Sequence, residues 1–301
     1  MKTRLLVLAL AAFLAAPFAF AAPTGADEAE IAALKKAVAE LRPQQGTVDL
    51  KNGMARLNVP EGLQYLDKKD AQTILIKIWG NPPEAASDVI GMIIRSPRDV
   101  VSGDGWGIVI TYTEDGHIDD ADALKTDYNA LLKQMKEGMV EANKERVKKG
   151  YTTVSLVGWA EPPHYDPATH KIYWAKELAF GDAQEHTLNY CTRILGRRGV
   201  LELNAVASMS ALPAIRNEAK RVLEKVDFNA GNRYADFNKS TDKMATYGIA
   251  ALVAGGVAAK MGFFKVLLGV LIAAKKLIVL GVVGLVAAVK RFFGGGKKEA
   301  E

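Results

Sequence analysis

Between Thr152 and Ala207 four runs rich in β-branched and aromatic residues follow one another with almost nothing between them. They span about Thr152–Ala160, His170–Phe180, Thr187–Leu195 and Val200–Ala207, and the connections are Asp166-Pro167-Ala168-Thr169, Gly181-Asp182 and Gly196-Arg197-Arg198-Gly199. A parallel neighbour needs a crossover of about a dozen residues or more, so strands joined this closely run antiparallel. A four-stranded meander is therefore the nucleus around which the chain must build.

The remaining segments supply partners for such a sheet. Ala26–Leu41 carries Ile31, Leu34, Val38 and Leu41 at helical spacing until Pro43 and Gly46, which predicts a short amphipathic helix. Thr47–Pro60 reads as two alternating runs joined by Asn52-Gly53, a hairpin signal because both turn positions favour positive φ. Further strands are expected at Ile74–Trp79, Val89–Ile94 and Gly105–Thr113. A long helix is expected over Asp122–Lys148, with Leu124, Tyr128, Leu131, Met135, Met139 and Ala142 as its buried stripe. A last helix, capped by Ser210 and entered through Pro213, presents Ile215, Ala219, Val222, Leu223 and Val226. The fold class is α+β, an antiparallel sheet covered by helices, in one domain over residues 46–230 preceded by an N-terminal segment at 22–45.

The two ends of the chain point to a membrane. Lys2 and Arg4 precede an apolar run that closes on Ala19-Phe20-Ala21, the pattern of a secretory signal peptide over residues 1–21. At the other end, Met244–Ala259, Val266–Ala274 and Leu277–Val289 are free of charge, yet each is shorter than the ~20 residues a crossing helix needs. If Lys260 reaches up to the headgroups, residues 244–264 suffice for one crossing. A second crossing within 265–291 would bury Lys275 and Lys276 at about 5–7 kcal/mol, roughly what its Val, Leu and Ile residues return. Lys260, Lys265, Lys275, Lys276 and Lys290 also fall within an arc of about 160° on a helix, so 265–291 can instead lie on the inner leaflet. One crossing plus this basic amphipathic helix obeys the positive-inside bias, and a two-helix hairpin is the alternative.

That topology assigns Tyr247, Gly255, Lys260, Lys275, Lys276, Lys290 and Arg291 to the lipid bilayer and its surfaces, with 231–243 as a tether and 292–301 as a tail. Ala251, Gly255 and Ala259 offer a small-residue face for a membrane-protein partner or a homo-oligomer. Of the net charge of +5, the positive excess sits at the two ends, so nucleic-acid binding is excluded as its reading. The main domain is expected in the periplasm, on the outer face of a bacterial inner membrane. Cys191 is the single cysteine, so no intramolecular disulfide can form there, and it reads as a buried, inert thiol.

Several runs resemble one family. They are Gly158-Trp159-Ala160-Glu161-Pro162-Pro163-His164-Tyr165-Asp166, Trp174-Ala175-Lys176-Glu177-Leu178, Leu195-Gly196-Arg197-Arg198-Gly199 and Tyr234-Ala235-Asp236-Phe237-Asn238. With Leu57-Asn58-Val59-Pro60, Trp79-Gly80-Asn81-Pro82-Pro83 and Gly105-Trp106-Gly107, these are similar to the bacterial membrane-anchored proteins grouped as domain of unknown function 2167. The resemblance implies a signal peptide, an extracytoplasmic domain and a C-terminal anchor, and it brings no established activity. A fainter similarity to PsbP and Mog1-like sandwiches runs through the strand before Val59-Pro60-Glu61-Gly62 and the closing helix before Val226-Asp227-Phe228.

Chemistry would gather around Glu161, His164, Asp166 and His170, because His with a nearby carboxylate can serve acid–base catalysis and His164 with His170 could ligate a metal. The same residues flank Pro162-Pro163 and Asp166-Pro167, where turn formation explains them without chemistry. Asp115, His117, Asp119, Asp120 and Asp122 lack the Asp-x-Asp-x-Asp-Gly spacing of a calcium loop and read as helix-start caps. Trp79, Trp106, Trp159 and Trp174 can be core residues or a ligand groove. The expected function is a membrane-anchored binding or scaffolding module without a cofactor. A periplasmic metal-dependent or acid–base hydrolase built on Glu161, His164, Asp166 and His170 is the alternative.

Overall fold

The computed structural model describes residues 25–81, 83–102, 105–148 and 152–255, with side chains from Ile31 onward. The expected signal peptide at 1–21 and the chain from residue 256 lie outside the described residues. In chain order the strands are β1 (Thr47–Leu50), β2 (Ala55–Asn58), β3 (Gln64–Asp67), β4 (Val89–Ile94), β5 (Gly107–Thr113), β6 (Val154–Asp166), β7 (Lys171–Phe180), β8 (Thr187–Leu195), β9 (Val200–Ser208) and β10 (Val226–Phe228). The helices are α1 (Gly25–Ala39), α2 (Lys68–Gln72), α3 (Tyr128–Lys148), α4 (Leu212–Leu223) and α5 (Ile249–Ala254).

The expected meander forms as β6-β7-β8-β9, and β9 then pairs with β5 to extend the sheet to the order β3-β4-β5-β9-β8-β7-β6. Every pairing in it is antiparallel. A second sheet of order β1-β2-β10 closes one side. Both faces of the large sheet are covered, since neighbouring residues of a strand point to opposite sides. Tyr65, Ile93, Ile108, Ile110, Tyr190 and Leu203 face the small sheet and α4, joining Leu50, Leu57, Ile215 and Val222 in one core. On the other face Leu66, Met92 and Ile94 meet Ile74, Ile78 and Trp79. Val154, Leu156, Leu178 and Phe180 lie there beneath Leu132, Met135 and Met139 of α3, and Ile172, Trp174 and Cys191 lie beneath Ile249, Leu252 and Val253 of α5.

Several expectations change. Ile74–Trp79 is not a strand: α2, capped by Asp67 accepting from the Asp70 amide at 3.0 Å, runs on into wide π-helical turns over Thr73–Ile78. Its buried residues Ile74, Leu75 and Ile78 follow a helical spacing, which a short β-branched run does not reveal. Asn52-Gly53 is part of a four-residue loop, with positive φ at Lys51 (45°), Asn52 (58°) and Gly53 (77°). The long helix starts at Tyr128 rather than Asp122, because Asp127 Oδ1 accepts from the amides of Asn129 and Ala130 at 2.9 and 3.0 Å. Leu124, expected in the buried stripe, is therefore 73% exposed. Ser210 does not cap α4, since its hydroxyl pairs with that of Ser208. Val226 leaves the helical face and opens β10, against Leu57 of β2.

The largest correction concerns the C-terminal segment. Residues 231–243 are no free tether, and of the expected crossing helix at 244–264 the described part, 244–255, holds only the short helix α5, the remainder lying outside the described residues. Met244 forms a parallel bridge with His117, and α5 buries Ile249, Leu252 and Val253 before Gly255, at φ 122°, stops the helix. Of the expected small-residue face, Ala251 lies in α5 and Gly255 ends that helix, while Ala259 lies outside the described residues. A short apolar helix satisfies its burial equally well inside a domain or a bilayer, and hydropathy does not distinguish the two. Among the described residues no helix is long and apolar enough to cross a membrane.

Gly91 marks a close approach in β4, where a Cβ would stand 2.4 Å from the Tyr65 ring, whose hydroxyl donates to the Ile90 carbonyl at 3.0 Å. Gly91→Ala is expected to lower stability by about 1–3 kcal/mol, as overpacking does, read from the urea unfolding midpoint at unchanged slope.

Candidate functional site

The four residues singled out for chemistry do not meet. β6 is an edge strand that runs straight through Pro162 and Pro163 to Asp166, with register shifts at Leu156/Gly158, Trp159/Glu161 and Glu161/His164. An edge strand tolerates prolines because one side of its backbone has no partner to lose. Glu161 faces α4 and accepts from Arg216 Nε at 2.8 Å, with Lys220 Nζ at 3.9 Å. His164 leans on Tyr173, ring centroids 5.2 Å apart, and Lys220 sits 5.3 Å over the same ring. Beneath them the hydroxyl of Tyr190 is raised above its usual range by burial and by the Glu161 charge.

Asp166 is a turn former, accepting from the Ala168 amide at 2.9 Å and Thr169 Oγ1 at 2.6 Å. These hydrogen bonds hold its carboxyl below the usual range. His170 closes the same turn at φ 53°. Its Nδ1 lies 3.1 Å from both Asp120 Oδ2 and the Tyr165 hydroxyl, on the α5 side of the sheet. His164 and His170 are thus separated by the sheet, and the expected metal or hydrolase constellation is not assembled. Among the described residues no three His, Cys, Asp or Glu side chains gather so as to hold a metal ion.

What the structure does assemble is a clamp on residues 231–255, which sequence reasoning missed. The rings of Phe237, His117, Tyr234 and His170 form one continuous stack, with successive centroids 4.0, 4.2 and 4.0 Å apart. Arg197 grips Asp242 with Nε at 2.7 Å and Nη2 at 3.2 Å. Backbone bonds run from the His117 amide to the Lys243 carbonyl at 2.8 Å and from the Ala245 amide to the His117 carbonyl at 2.7 Å. Gly116 admits this approach, since a Cβ there would stand 2.7 Å from the Lys243 carbonyl.

The acidic cluster is divided among these tasks. Asp115 accepts from the Tyr247 hydroxyl at 2.6 Å, which places Tyr247 against the domain. Asp122 accepts from the Ile249 and Ala250 amides, both at 3.0 Å, and so caps α5 instead of α3. Asp120 accepts from Tyr165 and contacts His170. Burial would raise the Asp120 carboxyl, but the hydrogen bonds from Tyr165 and His170 outweigh it and keep it below the usual range. Tyr165 is pushed well up, first by burial and then by Asp120, so it keeps its proton. Asp119 turns on its own loop, accepting from the Ala121 amide at 2.9 Å. The motif Tyr234–Asn238 was the sequence signal for this clamp, supplying two of its four rings.

The other candidates are structural. Trp79, Trp106 and Trp174 are buried, and Trp159 Nε1 donates to the Tyr128 carbonyl at 3.1 Å, so the tryptophans line no common groove. Cys191 is buried with Sγ 3.3 Å from Asn189 Oδ1. An open groove of about 620 Å³, lined by Lys35, Val38, Ala39, Ser96, Pro97 and Arg98, lies apart from both clusters.

The family pattern described as "Protein of unknown function (DUF2167)" matches residues 42–286, most of the chain. The chain belongs to the DUF2167 family. Solved structures that match this DUF2167 protein include cyanobacterial PsbP (CyanoP) from Synechocystis sp. PCC 6803, at 10% identity and TM-score 0.34, over 61% of this chain and 91% of that one. The Ran-binding protein Mog1p of Saccharomyces cerevisiae matches at 13% identity and TM-score 0.34, over 66% of this chain and 100% of that one. Likenesses this distant carry no functional argument. No curated protein matches the chain.

In this DUF2167 domain the clamp has a measurable acid limb. Hydrogen bonds from Arg197 and the Asn238 amide hold Asp242 at about 2, so its contribution is complete above the ordinary carboxylate value and is lost as pH falls through the folded value. Asp242→Asn is expected to be less stable than wild type at pH 7. The difference should narrow between about pH 4 and about pH 2, in urea melts followed across that range.

Proposed function

We propose that this DUF2167 protein is a membrane-anchored, periplasmic binding or scaffolding module whose domain is held directly against its anchor. The supporting observation is the clamp. From Arg197–Asp242 through the ring stack to the Asp122 cap, the chain is fixed to the sheet as far as Gly255. Whatever follows residue 255 therefore leaves from a defined point on the domain surface, which suits a module that must present one face at a set height.

With 244–255 committed to the core, the sequence left for the bilayer is the lysine-punctuated tract that follows. Val266–Val289 is long enough for one crossing, in which burying Lys275 and Lys276 near its middle costs about 5–7 kcal/mol and its Val, Leu and Ile residues return roughly as much. Lys290, Arg291, Lys297 and Lys298 would then lie on the cytoplasmic side, as the positive-inside bias prefers. The four residues of the hydrolase alternative point to two sides of the sheet, so no observation favours that reading.

Fractionation tests the proposal. The full chain should stay with membranes through a carbonate wash, whereas a chain stopped after Gly255 should be soluble and folded. A full chain released by carbonate would overturn the anchor. A C-terminal tag digested by protease added to spheroplasts would overturn the crossing in favour of a tail lying on the outer surface.

A further inference from the structure

The ring stack contains two histidines in opposite electrostatic settings. His170 has a carboxylate within reach, its Nδ1 lying 3.1 Å from Asp120 Oδ2. His117 is 7% exposed, lies between Tyr234 and Phe237, and has a buried Nδ1 with no hydrogen-bond partner. The rest of its ring faces the backbone carbonyls of Gly196 and Arg197. Adding a proton to Nδ1 therefore places a donor and a charge where no acceptor awaits, at the full desolvation cost of an unpaired buried group.

We propose that His117 is the proton sensor of a latch: neutral, it seals residues 231–247 onto the sheet, and protonated, it lets that segment lift away. The position suits the task. His117 holds the segment twice through its backbone, at Lys243 and Ala245, and twice through its ring, at Tyr234 and Phe237. The segment also leads straight into α5 and to Gly255, so opening would free whatever follows to take a new angle to the domain.

The groups around the ring determine the sign. From its own loop Asp119 and Asp120 favour the charged form, as do the Gly196 and Arg197 carbonyls, but burial is the largest influence and lowers the ring's affinity for protons. From the facing segment Arg233 is paired with Asp236 and Asp242 is held by Arg197, so neither carboxylate is free to receive the proton. Tyr234 donates its hydroxyl to the Ile118 carbonyl at 2.8 Å, and His170 lies beyond it in the stack. A histidine whose folded value lies below the unfolded one stabilises fully above about pH 6.5 and loses that stability as pH falls below it. The latch is closed at neutral pH and opens in mild acid.

Amide hydrogen exchange on the full chain in mild detergent, at pH 7.5 and pH 5.5 with intrinsic rates corrected, tests this. Protection of the 243–247 amides should fall about tenfold at the lower pH, the change that one pH unit of proton linkage supplies. His117→Phe keeps a ring in the stack and should show equal protection at both values, while His170→Gln should retain the wild-type response. Should His117→Phe fail to fold, the wild-type His117 ring titration followed by NMR decides: it should run below the ordinary histidine midpoint and coincide with the loss of protection. The proposal is overturned if wild-type protection is independent of pH, if the response survives in folded His117→Phe, or if the ring titrates without it. None of these readings requires the tail to enter a membrane, so the latch and the anchor succeed or fail separately.

Discussion

The pairing of β5 with β9 is the interaction on which the domain rests. It sets Ile108 opposite Ala205 and Thr113 opposite Val200, joining segments far apart in sequence into one sheet. A slip of one residue would turn Ile108, Ile110, Leu203 and Ala205 out of the α4-side core. Polar cross-links beside it guard the register. Arg193 and Glu202 are direct neighbours across β8 and β9 and form a 3.0 Å ion pair, and Arg193 also rests 5.2 Å from the Trp174 ring. Lys171 reaches from β7 to Asp227 of β10 and to the Leu223 carbonyl, both at 2.8 Å, tying the small sheet to the large one.

That framework explains why the C-terminal segment can be held so firmly. The meander presents the β8–β9 turn with Arg197, and the β6–β7 turn with His170, at one end of the sheet. The loop after β5 carries Asp115 to Asp122 to the same place. Three loops from distant parts of the chain thus converge, and residues 231–255 lie across them. The site is assembled by topology. Within the ring stack the buried Nδ1 of His117 has no hydrogen-bond partner, whereas Tyr234 and His170 each have one.

The meander and the apolar stripe of α4 were legible because their periodicities of two and about 3.6 agree with their turn residues. Ile74–Trp79 was misread because a run such as Ile-Leu-Ile-Lys-Ile-Trp fits a strand by composition, whereas the flanking Asp67 cap and the neighbouring core make Thr73–Ile78 helical. The Asp115–Asp122 cluster was recognised as capping, but its helix was misassigned, since Asp122 caps α5 more than a hundred residues later. Glu161, His164, Asp166 and His170 were close in sequence and looked like one site. Strand alternation and the bulges of β6 sent them to opposite sides of the sheet.

The sequence by itself determined an α+β architecture built on an antiparallel meander, membership of the DUF2167 family, and a tract rich in apolar residues and lysines at the C-terminal end. These are properties of local periodicity and composition, which a linear reading can follow. Only the tertiary structure decided that residues 244–255 belong to the domain core and that two histidines bracket Tyr234. Each depends on which distant surfaces meet, and an apolar helix or a ring carries no local mark of the partner that will bury it.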